Sequence, residues 1–219
     1  MRESEITGDW REGETDAVVG ENNREGQNGE PAGRNSDYGR KKGSFFKELI
    51  VYAVIIVLCV TIVPRYVVQR TQVSGISMMK TLEDEESLLV EKVSYYFNNP
   101  SRFDIITFYP RGRDHEEYYI KRVIGLPGET VQITGNTIYI NGRVLEEHYG
   151  REAMEDGGIA EEPIKLGKDE FFVLGDNRND SIDSRSEEVG IVKKENIDGH
   201  AILRIYPFSK FGTIQNKNS

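Results

Sequence analysis

Hydrophobic positions along this chain fall into two patterns, one after the other. Leu49 to Val63 is an unbroken, uncharged apolar run of 15 residues. Beyond about residue 69, short apolar and β-branched runs alternate with turn residues. As a helix the first run measures ~22 Å, short of a ~30 Å hydrocarbon slab. Phe45-Phe46 before it and Tyr66-Val67-Val68 after it lengthen the apolar stretch, and Lys47 and Arg65 can snorkel to the headgroups. A core helix of a soluble domain normally keeps a polar face, and this run has none. A cleaved secretory leader would fit the core length. However, no small-x-small site follows Val63, and the stretch ahead of it is too long for a leader. Residues 44–68 therefore read as a single transmembrane anchor.

The second pattern predicts strands at 87–93, 104–109, 117–124, 130–133, 137–140, 170–174 and 200–206. Asn141-Gly142 is the strongest short hairpin signal and closes a hairpin over 137–144. Leu126-Pro-Gly128 reads as a turn, with proline presetting one φ and glycine supplying a positive one. No long stretch past the anchor has a helical period. The expected fold is mostly β: an antiparallel outer domain over 69–219, with an acidic, glycine-containing insert at about 146–168, either a long loop or a small subdomain.

Composition narrows the function. A net charge of −9 argues against a nucleic-acid partner, which needs a positive field to displace counterions. One cysteine, Cys59, excludes an intrachain disulfide framework and a cysteine metal site. Residues 1–43 are rich in Gly, Glu, Asn and Arg without periodicity, so they read as a disordered tail. Arg34, Arg40, Lys41, Lys42 and Lys47 precede the span, whereas Arg65 and Arg70 follow it closely. That excess marks the N-terminal side as cytoplasmic and the outer domain as extracytoplasmic, in a cell (plasma) membrane crossed once.

Three blocks outside the anchor carry candidate chemistry. Lys121 sits in Tyr118-Tyr-Ile-Lys-Arg-Val-Ile-Gly125, among aromatic and branched residues. Burial lowers a lysine pKa from ~10.4 by up to ~3–5 units, which would leave a neutral amine able to act as a base. Alternation puts Tyr119, Lys121 and Val123 on one face and Arg122 on the other. The competing reading is a solvated Lys-Arg pair on an edge strand. Ser77, in Gly75-Ile-Ser-Met-Met-Lys-Thr-Leu82, is a weak nucleophile until a base removes its proton. Gly75 lets the chain approach closely, and a turn there aims backbone N–H groups at an oxyanion. An ordinary connecting loop reads the same way. Gly175-Asp-Asn-Arg-Asn-Asp-Ser-Ile-Asp-Ser-Arg185 follows a hydrophobic strand and predicts a turn laced by side-chain hydrogen bonds. A calcium loop is disfavoured, since no closing glutamate lies at the required spacing. His115, His148 and His200 are widely separated and lack ligand spacing, so no metal or cofactor is expected.

Taken in order, these blocks are specific. An anchor, Gly-x-Ser-Met, Asp-Ile-Ile-Thr-Phe, Lys-Arg-Val-Ile-Gly-Leu-Pro-Gly and Gly-Asp-Asn-Arg-x-x-Ser-x-Asp-Ser-Arg follow one another. Over residues 45–213 the chain resembles the bacterial type I signal peptidases, and Gly199–Pro207 looks like the family's last strand. The resemblance implies a mostly β domain with a Ser–Lys dyad. In it Ser77 is the nucleophile and Lys121 the general base. Ser181 is the hydroxyl that orients the lysine amine, and Asp183 with Arg185 form a supporting ion pair. Gly175 and Asp176 begin the supporting turn. It also implies signal-peptide-bearing preproteins, the lipid bilayer and the secretion translocon as partners. Lys80 stands where the family usually has proline, which loosens that turn, and its side chain is expected in solvent. Gly75 stands where some members carry an oxyanion-completing hydroxyl, so Ser77 and Gly75 are the backbone candidates for that hole. Two other readings stay open: a catalytically impaired, membrane-tethered β-domain binding module, and a self-cleaving Ser–Lys protease of SOS-repressor type.

Overall fold

The structure is a computed structural model and describes residues 40–115 and 117–214. The expected tail lies outside the described residues, apart from residues 40–43, which begin a helix. That helix, α1 (Arg40–Tyr66), includes the apolar window Ser44–Val63, long and apolar enough to cross a membrane and unburied by the rest of the chain. The chain divides after Phe45 into two compact units. Every strand among the described residues lies in the second.

Among the described residues twelve strands follow in chain order. They are β1 (Val68–Gln72), β2 (Ser87–Glu91), β3 (Ile105–Phe108), β4 (Tyr119–Gly125), β5 (Thr130–Thr134) and β6 (Thr137–Ile140). The rest are β7 (Arg143–Val144), β8 (Ile164–Lys165), β9 (Glu170–Leu174), β10 (Val192–Lys193), β11 (Ile197–Tyr206) and β12 (Gly212–Thr213). One large sheet runs β1-β2-β11-β3-β4-β9-β10, with β12 added to β11, and a small sheet runs β7-β6-β5-β8. Every pairing is antiparallel. All seven anticipated strands are present, and four short ones went unanticipated: β1, β8, β10 and β12. Of these, β8, β10 and β12 have two residues each and pair with a longer strand, and β1 pairs with β2 of equal length. Asn141 (φ 51°) and Gly142 (φ 75°) form the expected hairpin turn between β6 and β7. Both positive φ values match the type I′ geometry that suits strand twist.

The strands that matter for the site are central and covered on both faces. β4 lies between β3 and β9, and six of its seven residues are buried. Ile105 and Ile106, adjacent on β3, enter two different apolar clusters, so the sheet buries both sides here. A third cluster joins Ile124, Phe172 and Leu174 to Val131, Ile133, Ile138 and Ile140 of the small sheet. The insert completes that cluster with Met154 and Ala160, so it is a packed element rather than a free loop.

This covering overturns the edge-strand reading of Lys121 and Arg122, since both are buried. Arg122 is wholly inaccessible, and its guanidinium grips Asp176 with two bonds, Nε to Oδ1 at 2.9 Å and Nη2 to Oδ2 at 2.7 Å. Nη1 donates to the Phe103 carbonyl at 2.9 Å, and the Tyr149 ring of the insert lies 3.7 Å from the guanidinium carbon. A charge this deep is tolerable only with a fork-to-fork partner and satisfied donors. Asp176→Ala, which strands the Arg122 charge, is expected to lower unfolding free energy by ~3–5 kcal/mol. The shift in urea midpoint of the full chain in detergent measures this. The exposed Glu187→Ala should move it by less than ~0.5 kcal/mol.

Candidate active site

The turn after β1 carries Ser77. Met78 and Leu82 are buried in the core beneath it, and the Thr81 and Leu82 N–H groups close back on the Met78 carbonyl at 3.0 and 2.8 Å. Apolar anchors below and a tight backbone above leave Ser77 at the lip of a cleft of about 490 Å³. Ile76, Tyr118, Lys121 and Ile182 share that lining.

Ser77 and Lys121 are separated by 44 positions in sequence, yet the Lys121 Nζ lies 2.7 Å from Ser77 Oγ. Lys121 is only 4 % exposed. Loss of water from the ammonium is the largest effect on it and lowers its pKa to about 8; the negative charges of Asp183 and Asp176 push the other way. The Tyr119 ring lies 5.3 Å from Nζ and also favours the charged form slightly. Desolvation wins. A lysine amine in this state can accept the proton of the serine hydroxyl it faces.

The 175–185 turn meets the Ser77 turn through backbone contacts. Asn177 N–H donates to the Ser77 carbonyl at 3.0 Å, and Asn177 Nδ2 donates to the Ile76 carbonyl at 3.2 Å. The approach requires Gly175, because a Cβ there would stand 2.5 Å from the Ser77 carbonyl oxygen and 2.2 Å from Ser181 Oγ. Asp183 is fully buried. Its Oδ2 accepts from Gly175 N–H at 3.0 Å, and Arg185 binds both of its carboxylate oxygens at 2.9 Å. The expected Asp183–Arg185 pair is therefore formed. Asp176 sits at the head of the same turn, held by Arg122.

Two expectations need correction, and a third needs refining. Ser181 Oγ is buried without a hydrogen-bond partner and packs against Gly175, so no bond from it orients the Lys121 amine. Gly75 does not serve a close approach, since nothing lies within 4 Å of the Cβ it lacks. What it supplies is a φ of 92°, and its N–H is taken by Asp84 Oδ1 at 2.9 Å. Gly75 is therefore no free oxyanion donor, whereas the Ser77 N–H has no partner among the described residues. Lys80 is exposed, as expected, yet its ammonium is not left free. Its Nζ donates to the carbonyls of His148 and Gly150 at 2.5 and 2.8 Å.

The residues missed from sequence are Arg122, Asn177 and Asp84, each of which positions the site through hydrogen bonds to its loops or strands. The usable signal for Arg122 was its place between Ile120 and Ile124 on the same strand face. Among the described residues no cluster of three metal-ligating side chains occurs.

Residues 46–206 match the family model for signal peptidase, peptidase S26. A signal peptidase I from Leptolyngbya laminosa is 43% identical over 68% of this chain and 74% of its own length. Signal peptidase I P from Bacillus subtilis subsp. natto is 37% identical over 78% of this chain and 93% of its own length. A crystal structure of a signal peptidase I from Enterococcus faecalis V583 aligns at 38% identity, with a TM-score of 0.39, over 47% of this chain and 97% of that one. The cleft thus lies in a serine endopeptidase, a hydrolase of the kind that removes signal peptides, and the chain belongs to the signal peptidase, peptidase S26 family.

Proposed function

We propose that this peptidase is anchored in the plasma membrane by α1, with its N-terminal side cytoplasmic. It would cut exported preproteins after small-x-small sites by a Ser77–Lys121 dyad. The observation that carries the reading is the 2.7 Å contact between a serine at a cleft lip and a buried lysine whose pKa is brought down to about 8.

The neutral Lys121 amine takes the Ser77 proton as Oγ attacks the scissile carbonyl. The Ser77 N–H stabilises the oxyanion, and Gly75 contributes the turn rather than a donor. The lysinium then gives its proton to the leaving amine, which departs and leaves an acyl-serine. Lys121, neutral again, deprotonates a water that attacks the ester, and the proton returns to Ser77 as the acyl group leaves. Gly175, Asp176, Asp183 and Arg185 hold the turn that supports both reacting groups. Ser181 fills the space over Gly175. At pH 7 about a tenth of Lys121 is neutral, given its pKa of about 8.

A signal peptide is itself bilayer-bound, so anchoring both partners raises their effective concentration. The secretion translocon would deliver such substrates to the same face. Chain geometry supports a lipid-facing end of the domain. The Val67 carbonyl, one residue past α1, accepts from Lys92 N–H at 2.9 Å, and the short helix α2 (Ser94–Phe97) follows. Tyr95 is held inward by Asp104 and the His200 ring. Tyr96 and Phe97 are 64 % and 82 % exposed, as suits aromatic rings at a headgroup interface.

Ser77→Ala and Lys121→Met are each expected to lower kcat/KM on a preprotein in detergent by about a thousandfold or more. Full cleavage by either variant would sink the dyad. For the unmodified chain, kcat/KM should climb about tenfold per pH unit up to about 8 and then level off. A profile flat from pH 6 to 9 would exclude Lys121 as the base. Stability carries the opposite sign. A lysine pKa lowered by folding costs stability below the folded pKa, and that cost fades as pH rises from about 8 to the ordinary lysine value. Lys121→Met should therefore stabilise the fold at pH 7 by up to ~3 kcal/mol, seen as a raised urea midpoint. Finally, a chain beginning at Gln69 is expected to sediment with lipid vesicles and to lose that binding on Tyr96→Ser and Phe97→Ser. Absence of binding by the parent chain would exclude the interface.

A further inference from the structure

Lys80 departs from its expected role in both backbone and side chain. Its φ is 93°, in the left-handed region that strains a non-glycine residue and persists only where its surroundings impose it. The residue is exposed, yet its ammonium is clasped by two carbonyls, those of His148 and Gly150. A proline, with φ fixed near −65°, cannot occupy this conformation. The turn after Ser77 is thus shaped by a side-chain contact where a ring would otherwise shape it.

The clasping segment is itself firmly held. Arg151 N–H donates to the Asp176 carbonyl at 2.8 Å, and Glu147 meets Arg178 at 2.9 Å. Tyr149 is 4 % exposed and lies over the Arg122 guanidinium. Lys80 therefore ties the Ser77 turn to a stretch fastened to the buried Arg122–Asp176 pair. Other bonds secure the two ends of the turn. Asn177 holds the Ile76 and Ser77 carbonyls, while Arg204 Nη2 donates to the Thr81 carbonyl at 2.6 Å. The left-handed bend at residue 80 lies between those ends, and the clasp acts directly upon it.

We infer that Lys80 is a positioning residue. Its ammonium, seated on the His148 and Gly150 carbonyls, maintains the bend that keeps Ser77 Oγ within reach of Lys121, and this rests on the Ser–Lys reading above. Reaction rate is steep in such placement, since a displacement of ~1 Å can cost ~100-fold. Substrate binding, which uses the cleft walls, would be little affected. The loss should fall on kcat rather than KM.

The test uses the full chain in detergent with a preprotein substrate. Lys80→Met should lower kcat by about tenfold or more while KM changes less than about twofold. The thermal midpoint should stay within about 2 °C, because the side chain is exposed. Lys80→Cys should behave likewise and regain most of its kcat after treatment with 2-bromoethylamine, which rebuilds an amine at nearly the length of lysine. The same treatment of the unmodified chain controls for alkylation of Cys59. Wild-type kcat in Lys80→Met would overturn the proposal while leaving the dyad intact. So would a loss of kcat that follows a fall in thermal midpoint and is not restored by the amine. An unmodified chain that cleaves no preprotein, like its Ser77→Ala variant, would overturn the dyad reading and this inference together.

Discussion

The Arg122–Asp176 pair is the constraint on which the site is built. Arg122 projects from the central strand that also carries Lys121, and Asp176 opens the turn that meets Ser77 through Asn177. A guanidinium with no access to water cannot leave its carboxylate without stranding a charge in a low-dielectric interior. Strand and turn are therefore held in one register. The insert joins the same arrangement from outside, with Tyr149 over the guanidinium and Arg151 bonded to the Asp176 carbonyl. Replacing such a pair by apolar residues can be neutral for stability; here its evident use is to set geometry.

Lys121 occupies the opposite face of that strand under different terms. It has no salt bridge among the described residues, and the two carboxylates that act on it, Asp183 and Asp176, are already engaged by Arg185 and Arg122. Those carboxylates still raise its pKa, but less than dehydration lowers it. Adjacent cationic residues on one strand thus take contrasting states: a permanent charge neutralised by a fork, and an amine kept ready to lose its proton. The difference follows from their partners, since an arginine cannot deprotonate in this range whereas a lysine can.

Parts of this arrangement were legible in the sequence for physical reasons that are local. Asn141-Gly142 specifies its turn because both residues tolerate positive φ. Longer strands such as β4 and β9 announce themselves through β-branched and aromatic runs. The apolar length of α1 needs no tertiary context to be read. Strands of two residues, such as β8, β10 and β12, carry too few positions for any period, and their pairing is chosen by the neighbour. The contacts of Ser181, Gly75 and Lys80 are not legible in the sequence, because each depends on how a loop folds back on itself or onto the insert. Ser181 lies over Gly175, Gly75 is tied to Asp84, and Lys80 reaches the insert.

Local sequence suffices for the apolar helix, the antiparallel character of the domain, and the order of the blocks holding Ser77, Lys121 and the 175–185 turn. These follow from side-chain periodicity and turn chemistry, which act over a few residues. That both faces of β4 are covered, and so that Lys121 and Arg122 are both buried, follows from the packing of distant segments. The same packing brought Ser77 to 2.7 Å from an amine 44 positions away. Burial depends on what packs against a strand rather than on the strand itself. A lysine pKa, set by the water it loses and the charges that remain, is therefore a property of the assembled fold.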